Sequence, residues 1–195
     1  MLVTNDLPEK IRIVMGLGNP GRRYAKNRHN FGQFVIDRMA FLNKEKFDKG
    51  RGVFIYCRIG FGTNEIYLAK STTYMNESGR AAIAMLSQFG LEPRNLMVVC
   101  DDCNLPLGKM RYRPDGSDGG HNGLSSIIET LESKEFPRLR LGIGLPPEGR
   151  PLEDYVLEKF EPNEAKVVEE VVDQAVVLIE KLAVEKRMSS LTLTV

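Results

Sequence analysis

The chain has 195 residues, of which 42% are hydrophobic and 27% charged, an ordinary composition for one globular domain spanning residues 1–195. No apolar run approaches the roughly 18 residues that cross a bilayer, and no basic segment followed by an apolar one opens the chain, so we expect a cytoplasmic protein with no membrane partner. The charges behind the net +1 are unevenly distributed, because residues 1–150 hold 22 Lys and Arg against 16 Asp and Glu. This excess fits a polyanionic partner, but by itself it is better explained as an ordinary solvated surface.

An apolar, β-branched stretch at residues 11–17 predicts a buried first strand that ends in a glycine-rich turn. The turn from Gly16 to Gly21 matches G-x-G-x-x-G, the phosphate-binding fingerprint of dinucleotide-binding proteins. That fingerprint requires a helix directly after the glycines and an acidic residue at the end of the second strand. Here the helical pattern begins only at Phe31, and the acidic Asp37 lies inside it. The sequence therefore argues against a nucleotide site.

The segment between that turn and Phe31 is polar and follows a strand. It carries Asn19, Tyr24, His29 and Asn30 among several arginines and lysines. Sites of α/β proteins lie in loops at the carboxyl ends of sheet strands, so this loop is a first candidate site. A single histidine at a helix start is nevertheless more often structural than catalytic.

The remaining strands and helices alternate along the chain. Strands are predicted at residues 53–59 and 65–70, as a hairpin through residues 60–64, and at residues 95–101, 108–114 and 138–145. Helical stripes begin at residues 31, 82, 124 and 168, the last with Pro162 at its first turn. This order predicts an α/β fold with a twisted, mostly parallel mixed sheet packed between helices and a long C-terminal helix. The tail at residues 188–195 fits either a strand or disorder.

Three further polar loops resemble the first one. They carry Asn76 in residues 71–79, Asp101 and Asp102 in residues 100–108, and His121 and Asn122 in residues 114–124. Taken singly, the asparagines can be helix caps and the aspartates turn residues. Taken together, the four loops can deliver amides, an imidazole and carboxylates to one edge of a sheet.

The three cysteines, Cys57, Cys100 and Cys103, are too few and odd in number for a disulfide framework and fit a reducing cytosol. Cys100 and Cys103 form a C-x-x-C, but zinc would need a second ligand pair and a redox role a thioredoxin-like context. Neither histidine lies near them in sequence. We therefore expect these thiols to pack in the core and expect no metal.

The polar set as a whole predicts a hydrolase. A histidine beside a buried carboxylate makes a general base, because the carboxylate fixes the tautomer and stabilises the imidazolium. Amide side chains can hold a carbonyl and stabilise a developing oxyanion. No serine or cysteine occupies a nucleophile elbow. The residue types therefore indicate attack by an activated water, without metal, cofactor or covalent intermediate.

A cationic strip precedes the glycine-rich loop. Lys109, Arg111 and Arg113 alternate with Met110 and Tyr112, so on a strand the three cations share one face. Phosphate contact and an ordinary solvated strand face both explain this pattern.

The sequence resembles the bacterial-type peptidyl-tRNA hydrolase family in six motifs, which occur in the family's order over about residues 11–160. They are GLGNPGRRYAKNRHNFG, TTYMNESG, DDCNLPLGKMRYR, GSDGGHNGL, RLRLGIG and YVLEKF. The resemblance implies one α/β domain that cleaves the ester between a peptide and the 3′-terminal ribose of tRNA. It also implies a monomer without a metal or other cofactor.

The resemblance further implies roles for individual residues. His29 matches the catalytic histidine and Asp101 the carboxylate that orients it, while Asn19, Asn76 and Asn122 match amides that position peptide carbonyl and water. Residues matching the surroundings of the 3′ end and the peptide are Tyr24, Tyr74 and Met75, and those matching tRNA phosphate contacts are Arg111, Arg113 and Arg140.

Some positions depart from the family pattern, and two alternatives stay open. Asn104 stands where aspartate is frequent, Ser125 where lysine is common, Leu145 where a basic residue is frequent, and Ser71 where proline is frequent. The Ser125 and Leu145 changes remove positive charge near the expected tRNA path. A catalytically silent RNA-binding relative, as among plant-organelle splicing factors, is the main alternative, and a nucleotide-binding enzyme is the other. The complete set of His29, Asp101 and three asparagines favours the enzyme.

Overall fold

The structure, a computed structural model, describes residues 10–61, 64–184 and 189–195 and is built on one mixed β-sheet. Its strands are β1 (Ile13–Gly16), β2 (Asp48–Lys49), β3 (Phe54–Phe61), β4 (Asn64–Ser71), β5 (Leu96–Asp102), β6 (Lys109–Arg113), β7 (Arg138–Gly142) and β8 (Leu191–Thr194). Their order across the sheet is β2-β3-β4-β1-β5-β7-β6-β8. The four central strands run parallel, and the strands on either side are antiparallel to their neighbours.

Helices cover both faces of this sheet, as the alternating pattern predicts. They are α1 (Phe31–Leu42), α2 (Ser78–Phe89), α3 (Asn122–Leu131), α4 (Leu152–Val156) and α5 (Ala165–Val184). One apolar core joins α1 and α5 to the sheet, and a second joins α2 and α3 to its other face. Among the described residues, no helix has both the length and the apolar composition to cross a membrane.

The predicted elements are confirmed, with differences at their ends. The hairpin turn is shorter than predicted, because Gly60 and Phe61 pair with Glu65 and Asn64, and residues 62–63 lie outside the described part. The strand predicted to reach residue 145 stops at Gly142, since Gly144 takes a left-handed φ of 75° that extended backbone cannot use. Pro162 opens a 3₁₀ turn that runs directly into α5.

The C-terminal tail forms a strand, which settles the choice between strand and disorder for its described residues 189–195. β8 pairs antiparallel with β6, from Leu191 opposite Tyr112 to Thr194 opposite Lys109. The first tail residue of the prediction, residue 188, lies outside the described part. β8 therefore covers the sheet edge that β6 would otherwise expose.

Gly16, the first glycine of the G-x-G-x-x-G turn, and Gly32 in α1 allow close helix packing. A Cβ on Gly16 would meet the Gly32 carbonyl oxygen, and a Cβ on Gly32 would overlap the Val99 carbonyl oxygen. These glycines let the first turn of α1 approach β1 and β5 at backbone contact. α1 begins only at Phe31, after a separate 3₁₀ turn formed by Arg28–Asn30. The helix start therefore presents histidine and asparagine at the sheet edge, where a dinucleotide fold would present a bare phosphate cradle.

Candidate active site

His29 and Asp101 meet at the carboxyl edge of the central strands, although 72 positions separate them in sequence. His29 lies in the 3₁₀ turn before α1, and Asp101 lies near the end of β5. Nδ1 of His29 is 2.9 Å from Oδ1 and 3.0 Å from Oδ2 of Asp101. Both residues are buried, with exposed fractions of 8% and 3%. The pair is thus held in an orienting hydrogen bond away from bulk water.

A second histidine, His121, shares the same carboxylate. Its Nδ1 accepts hydrogen bonds from the backbone N–H groups of Gly123 and Leu124, at 3.1 and 3.3 Å. The proton of the neutral ring must therefore sit on Nε2, which lies 3.2 Å from Oδ1 of Asp101 and donates to it. The two imidazole rings are adjacent, with centroids 4.8 Å apart.

Asp101 is kept ionised by these two partners. Burial by itself would raise the pKa of its carboxyl, but electrostatic attraction and hydrogen bonds from His29 and His121 outweigh burial and hold that pKa well below its usual range. An ionised Asp101 fixes the His29 proton on Nδ1 and leaves Nε2 with a free lone pair. This is the protonation pattern of a general base.

His121 is a site residue to which the sequence analysis assigned no role. It is the N-cap of α3, so the alternative that Asn122 caps this helix is wrong. The alternative that Asn76 is a cap is also wrong, because Glu77 precedes α2 and Tyr74 precedes the 3₁₀ turn before it. In the sequence, His121 comes directly before a helical stripe in one of the polar loops, and that position is the signal that could have indicated a site residue.

We expect His121→Asn and His121→Ala to separate capping from catalysis. Asparagine is a good N-cap and should keep stability near wild type, whereas alanine should cost about 1 kcal/mol. Alanine has no donor, and the NH₂ of an asparagine whose oxygen caps the helix ends short of the position of Nε2, so both variants lose the hydrogen bond to Asp101 and should lower the ester-cleavage rate about tenfold. Urea unfolding and single-turnover cleavage measure the two effects. A wild-type rate in His121→Asn would show that this bond does not support catalysis.

Asn19 is fixed by three hydrogen bonds at the end of β1. Its backbone N–H donates to Oδ1 of Asn30, and its backbone carbonyl accepts from Nδ2 of Asn30, both at 2.9 Å. Its side-chain Oδ1 accepts from the backbone N–H of Met75 at 2.8 Å. Because Oδ1 is engaged in this way, the amide NH₂ is the end of the side chain that can act as a donor. Asn30, which the sequence analysis left without a role, is thus the residue that shapes this loop.

The other predicted cleft residues lie on the loops around this centre. Met75 is buried, and a Cβ on Gly123 would contact both the Met75 sulfur and the His121 ring, so the loop after β4 meets the start of α3. Asn76 and Asn122 are exposed. Tyr24 and Tyr74 form an edge-to-face pair with centroids 6.3 Å apart, and Tyr74 is 51% exposed. The structure thus brings Met75 to the start of α3 near His121, and it pairs Tyr24 with Tyr74, the residue before Met75.

A cavity of about 450 Å³ opens beside the histidine pair. His29, Asp101, His121 and Asn122 line it together with Arg140 and Asn104, and an apolar wall is formed by Leu145, Leu152 and Val156. Leu145 is 71% exposed at this wall. The cavity is large enough for a few amino-acid or ribose units, in the lower range of small-molecule sites.

Two arginines, Arg138 and Arg140, donate hydrogen bonds to backbone carbonyls of the loop that carries His121. Arg138 is fully buried, and its guanidinium donates to the carbonyls of Gly116, Ser117, Lys134 and Phe136. Burial, with the neighbouring Arg140 charge, lowers the pKa of Arg138 to about 10. Arg140 donates to the Ser117 carbonyl at 2.7 Å and to Asp102 Oδ2 at 3.3 Å.

The cationic strip of β6 continues onto β7. Met110 and Tyr112 are buried, while Lys109, Arg111 and Arg113 are partly exposed on the other face, as the alternation predicts. The register places Arg111 opposite Arg140 and Arg113 opposite Arg138. Lys109 lies at the site end of the strip, since β6 runs antiparallel to β7. Arg111 donates to Thr192 Oγ1 at 3.4 Å and Arg113 to the Tyr112 carbonyl at 3.3 Å, whereas Arg140 is tied both to the loop and to Asp102.

The surroundings of Cys100 and Cys103 disfavour reactive thiolates. Burial raises the pKa of both Cys100 and Cys103, so their thiolates are disfavoured. Among the described residues, His29, Asp101 and His121 form a group that could hold a metal ion, because their potential ligand atoms lie within 4.8 Å of one another. Hydrogen bonding already accounts for that closeness.

Known proteins are similar to this chain in sequence and in fold. The sequence model of the family described as Peptidyl-tRNA hydrolase matches residues 13–194. The chain is 46% identical over 168 residues to a peptidyl-tRNA hydrolase of Aquifex aeolicus, covering 85% of this chain and 86% of that one. It is 41% identical over 182 residues to one of Chlorobaculum tepidum, covering 92% and 96%. The crystal structure of peptidyl-tRNA hydrolase from Acinetobacter baumannii is similar with a TM-score of 0.83 and 29% identity, covering 89% and 88%.

Proposed function

Because the chain belongs to the peptidyl-tRNA hydrolase family, and so hydrolyses peptidyl-tRNA, we propose that His29 is the general base of that hydrolysis and Asp101 the residue that orients it. The observation that carries the proposal is the pair of contacts from His29 Nδ1 to both oxygens of a buried carboxylate. These contacts engage Nδ1, and His29 lines the cavity, so Nε2 is the ring nitrogen left to accept a water proton.

The reaction proceeds in two proton transfers. Water attacks the ester carbonyl carbon while His29 Nε2 takes one of its protons, which forms the new carbon–oxygen bond and a tetrahedral oxyanion. The oxyanion collapses, the bond to the ribose 3′ oxygen breaks, and the His29 imidazolium returns the proton to that oxygen. The products are a peptide with a free carboxyl group and a tRNA with a free 3′-terminal ribose.

The amides of Asn19, Asn76 and Asn122 hold the substrate carbonyls. The NH₂ end of Asn19 is directed by the bond from Met75 to its Oδ1, which supports a donor role toward the ester or the oxyanion. Asn122 adjoins the histidine pair at the cavity, where it can bind a peptide carbonyl or the water. A free aminoacyl ester lacks the additional peptide carbonyl, which explains a preference for peptidyl-tRNA.

The tRNA lies across the cationic face that adjoins the site. Arg111, Arg113 and Arg140 contact its phosphates, and Tyr24, Tyr74 and Met75 contact its 3′ end and the peptide. Leu145 leaves the cavity mouth apolar where relatives often carry a basic residue, so phosphate binding depends more on the β6 cations. We further propose that the protein acts as a monomer in the cytoplasm.

Cleavage of an N-acetylated aminoacyl-tRNA in the presence of EDTA tests this proposal. The metal-free mechanism predicts undiminished cleavage in EDTA and much slower cleavage of the same tRNA with a free amine. Binding without cleavage would identify a catalytically silent relative. Loss of activity in EDTA would indicate a metal at His29, Asp101 and His121, and a thermal shift with NAD alone would revive the nucleotide-binding alternative.

A further inference from the structure

Arg28, the residue before His29, is a charged side chain placed almost entirely out of water. Its side chain is 4% exposed, and its guanidinium forms a bidentate pair with Glu164, with Nη1 to Oε1 at 3.0 Å and Nη2 to Oε2 at 2.7 Å. Glu164 ends the 3₁₀ turn that leads into α5. The pair therefore links the turn that carries His29 to the start of the long helix.

The same guanidinium lies between two aromatic rings. Its central carbon is 4.5 Å from the ring centroid of Tyr155 and 4.7 Å from that of Phe160. Such a sandwich uses the planar, delocalised charge of arginine and could not be made by lysine. Tyr155 belongs to α4, the helix whose residues Leu152 and Val156 form the apolar wall of the cavity.

Backbone contacts bind the same two segments together. The Arg28 N–H donates to the Glu158 carbonyl at 2.8 Å, and Asn27 forms a β-bridge with Lys159. Phe160 also packs against Phe31 at the start of α1, with centroids 5.0 Å apart. The His29 turn and the 155–164 segment thus meet along a continuous contact that Arg28 fills.

Stability alone is a weak reason for this arrangement. Arg28 Nε is buried without a hydrogen-bond partner among the described residues, and an unsatisfied buried donor is costly. A buried ion pair can often be replaced by apolar residues of similar size without loss of stability. A charged, incompletely satisfied arginine next to the catalytic histidine is better explained by the geometry that it imposes.

We propose that Arg28 is a positioning residue, which clamps the His29 turn to α4 and to the start of α5 so that His29 keeps its contact with Asp101 and its place beside the cavity wall. This inference rests on the proposed role of His29 as the base. Without the clamp, the turn can move relative to β5, which carries Asp101, and the hydrogen bond between the two side chains is no longer held in one geometry. Small displacements of this kind are sufficient to slow a reaction strongly.

The test is the pH dependence of single-turnover cleavage of N-acetylated aminoacyl-tRNA by the double variant Arg28→Met/Glu164→Met. We expect the plateau rate to fall about 10- to 100-fold. The midpoint of the acid limb should move to lower pH, because a weakened hydrogen bond to Asp101 stabilises the His29 imidazolium less. His121 is the other titratable ring beside His29. A mere loss of folded protein lowers the plateau and leaves the midpoint unchanged.

A matched control and a conservative variant accompany the double variant. A second ion pair also reaches α5: Nε of Arg38, in α1, lies 2.8 Å from Oδ1 of Asp173, in α5. Neither residue lines the cavity. Arg38→Met/Asp173→Met should keep both plateau and midpoint. Arg28→Lys, which keeps the charge but loses the planar sandwich, should fall between wild type and the double variant, and it decides the question by the same criteria if the double variant does not fold.

The outcomes separate the two levels of the proposal. A wild-type midpoint in the Arg28 variants, or an equal shift in the Arg38 control, would overturn the positioning role. An acid limb that remains in the His29→Ala variant would overturn the role of His29 instead.

Discussion

We expect His29→Ala to slow ester cleavage about 10²–10⁴-fold, the contribution typical of a positioned general base. The alanine side chain cannot accept a proton from water, whereas the amides and the cationic face remain in place. Binding of tRNA should therefore stay within about twofold of wild type, since phosphate contacts supply most of that affinity. Single-turnover cleavage and filter binding of deacylated tRNA measure the two quantities on the same preparation.

Imidazole added to the His29→Ala variant is the matched control. A small base that fits the vacated space should restore part of the rate without changing tRNA affinity. Retained tRNA binding by the variant reports that it is folded. Unchanged turnover in the folded variant would remove His29 as the base.

We expect Asp101→Asn to lower the rate by as much as about 10⁴-fold, the effect of giving a catalytic histidine the wrong tautomer. An asparagine amide can donate its NH₂ to His29 Nδ1, which places the ring proton on Nε2 and removes the lone pair that the reaction uses. Single-turnover cleavage at neutral pH measures the loss. Asp102→Asn on the same strand is the matched control, because Asp102 contacts Arg140 and the Asn104 N–H rather than a histidine. It should lose far less activity.

Asp101→Asn should also change how stability depends on pH. The folded state holds the pKa of Asp101 below the usual value of 3.8, so the ionised carboxylate stabilises the fold above that pH, and the contribution is lost as the pH falls through the lower, folded value. The variant lacks this contribution at every pH, so its urea midpoint should decline less steeply in acid than that of wild type. Equal acid dependence in the two proteins would show that Asp101 is not held ionised.

Much of the site could be anticipated from local sequence because each key side chain follows a recognisable strand. Asp101 ends the buried stretch 95–101, and the polar loop with His29 follows the stretch 11–17, so the rule that sites lie at strand carboxyl ends brings them to one edge. The hydrogen bond between them then closes a gap of 72 positions that no local pattern encodes.

His121 shows what local patterns miss. Its capping of α3 is a local event, but its bond to Asp101 depends on the path of a glycine-rich loop. That path is set by Arg138 and Arg140 through carbonyls about 20 positions away. Periodicity does not report side chains that bind backbone carbonyls at long range, so these arginines look the same in sequence as Arg111 and Arg113.

Two short elements, α4 and β8, illustrate a second limit. The short α4 has too few residues for a helical period to show, yet it supplies part of the cavity wall and the Tyr155 ring against Arg28. β8 consists of four mostly exposed residues, and its strand state depends on the unpaired edge of β6 rather than on its own composition. Both elements are fixed by tertiary contacts.

The most direct test of the account is the pH dependence of the single-turnover cleavage rate for wild type beside His29→Ala. If His29 is the base, the wild-type rate falls in acid with the protonation of one group, and the residual rate of the variant lacks that acid limb. An acid limb of the same midpoint in His29→Ala would contradict the assignment, because the titrating base would then be another group.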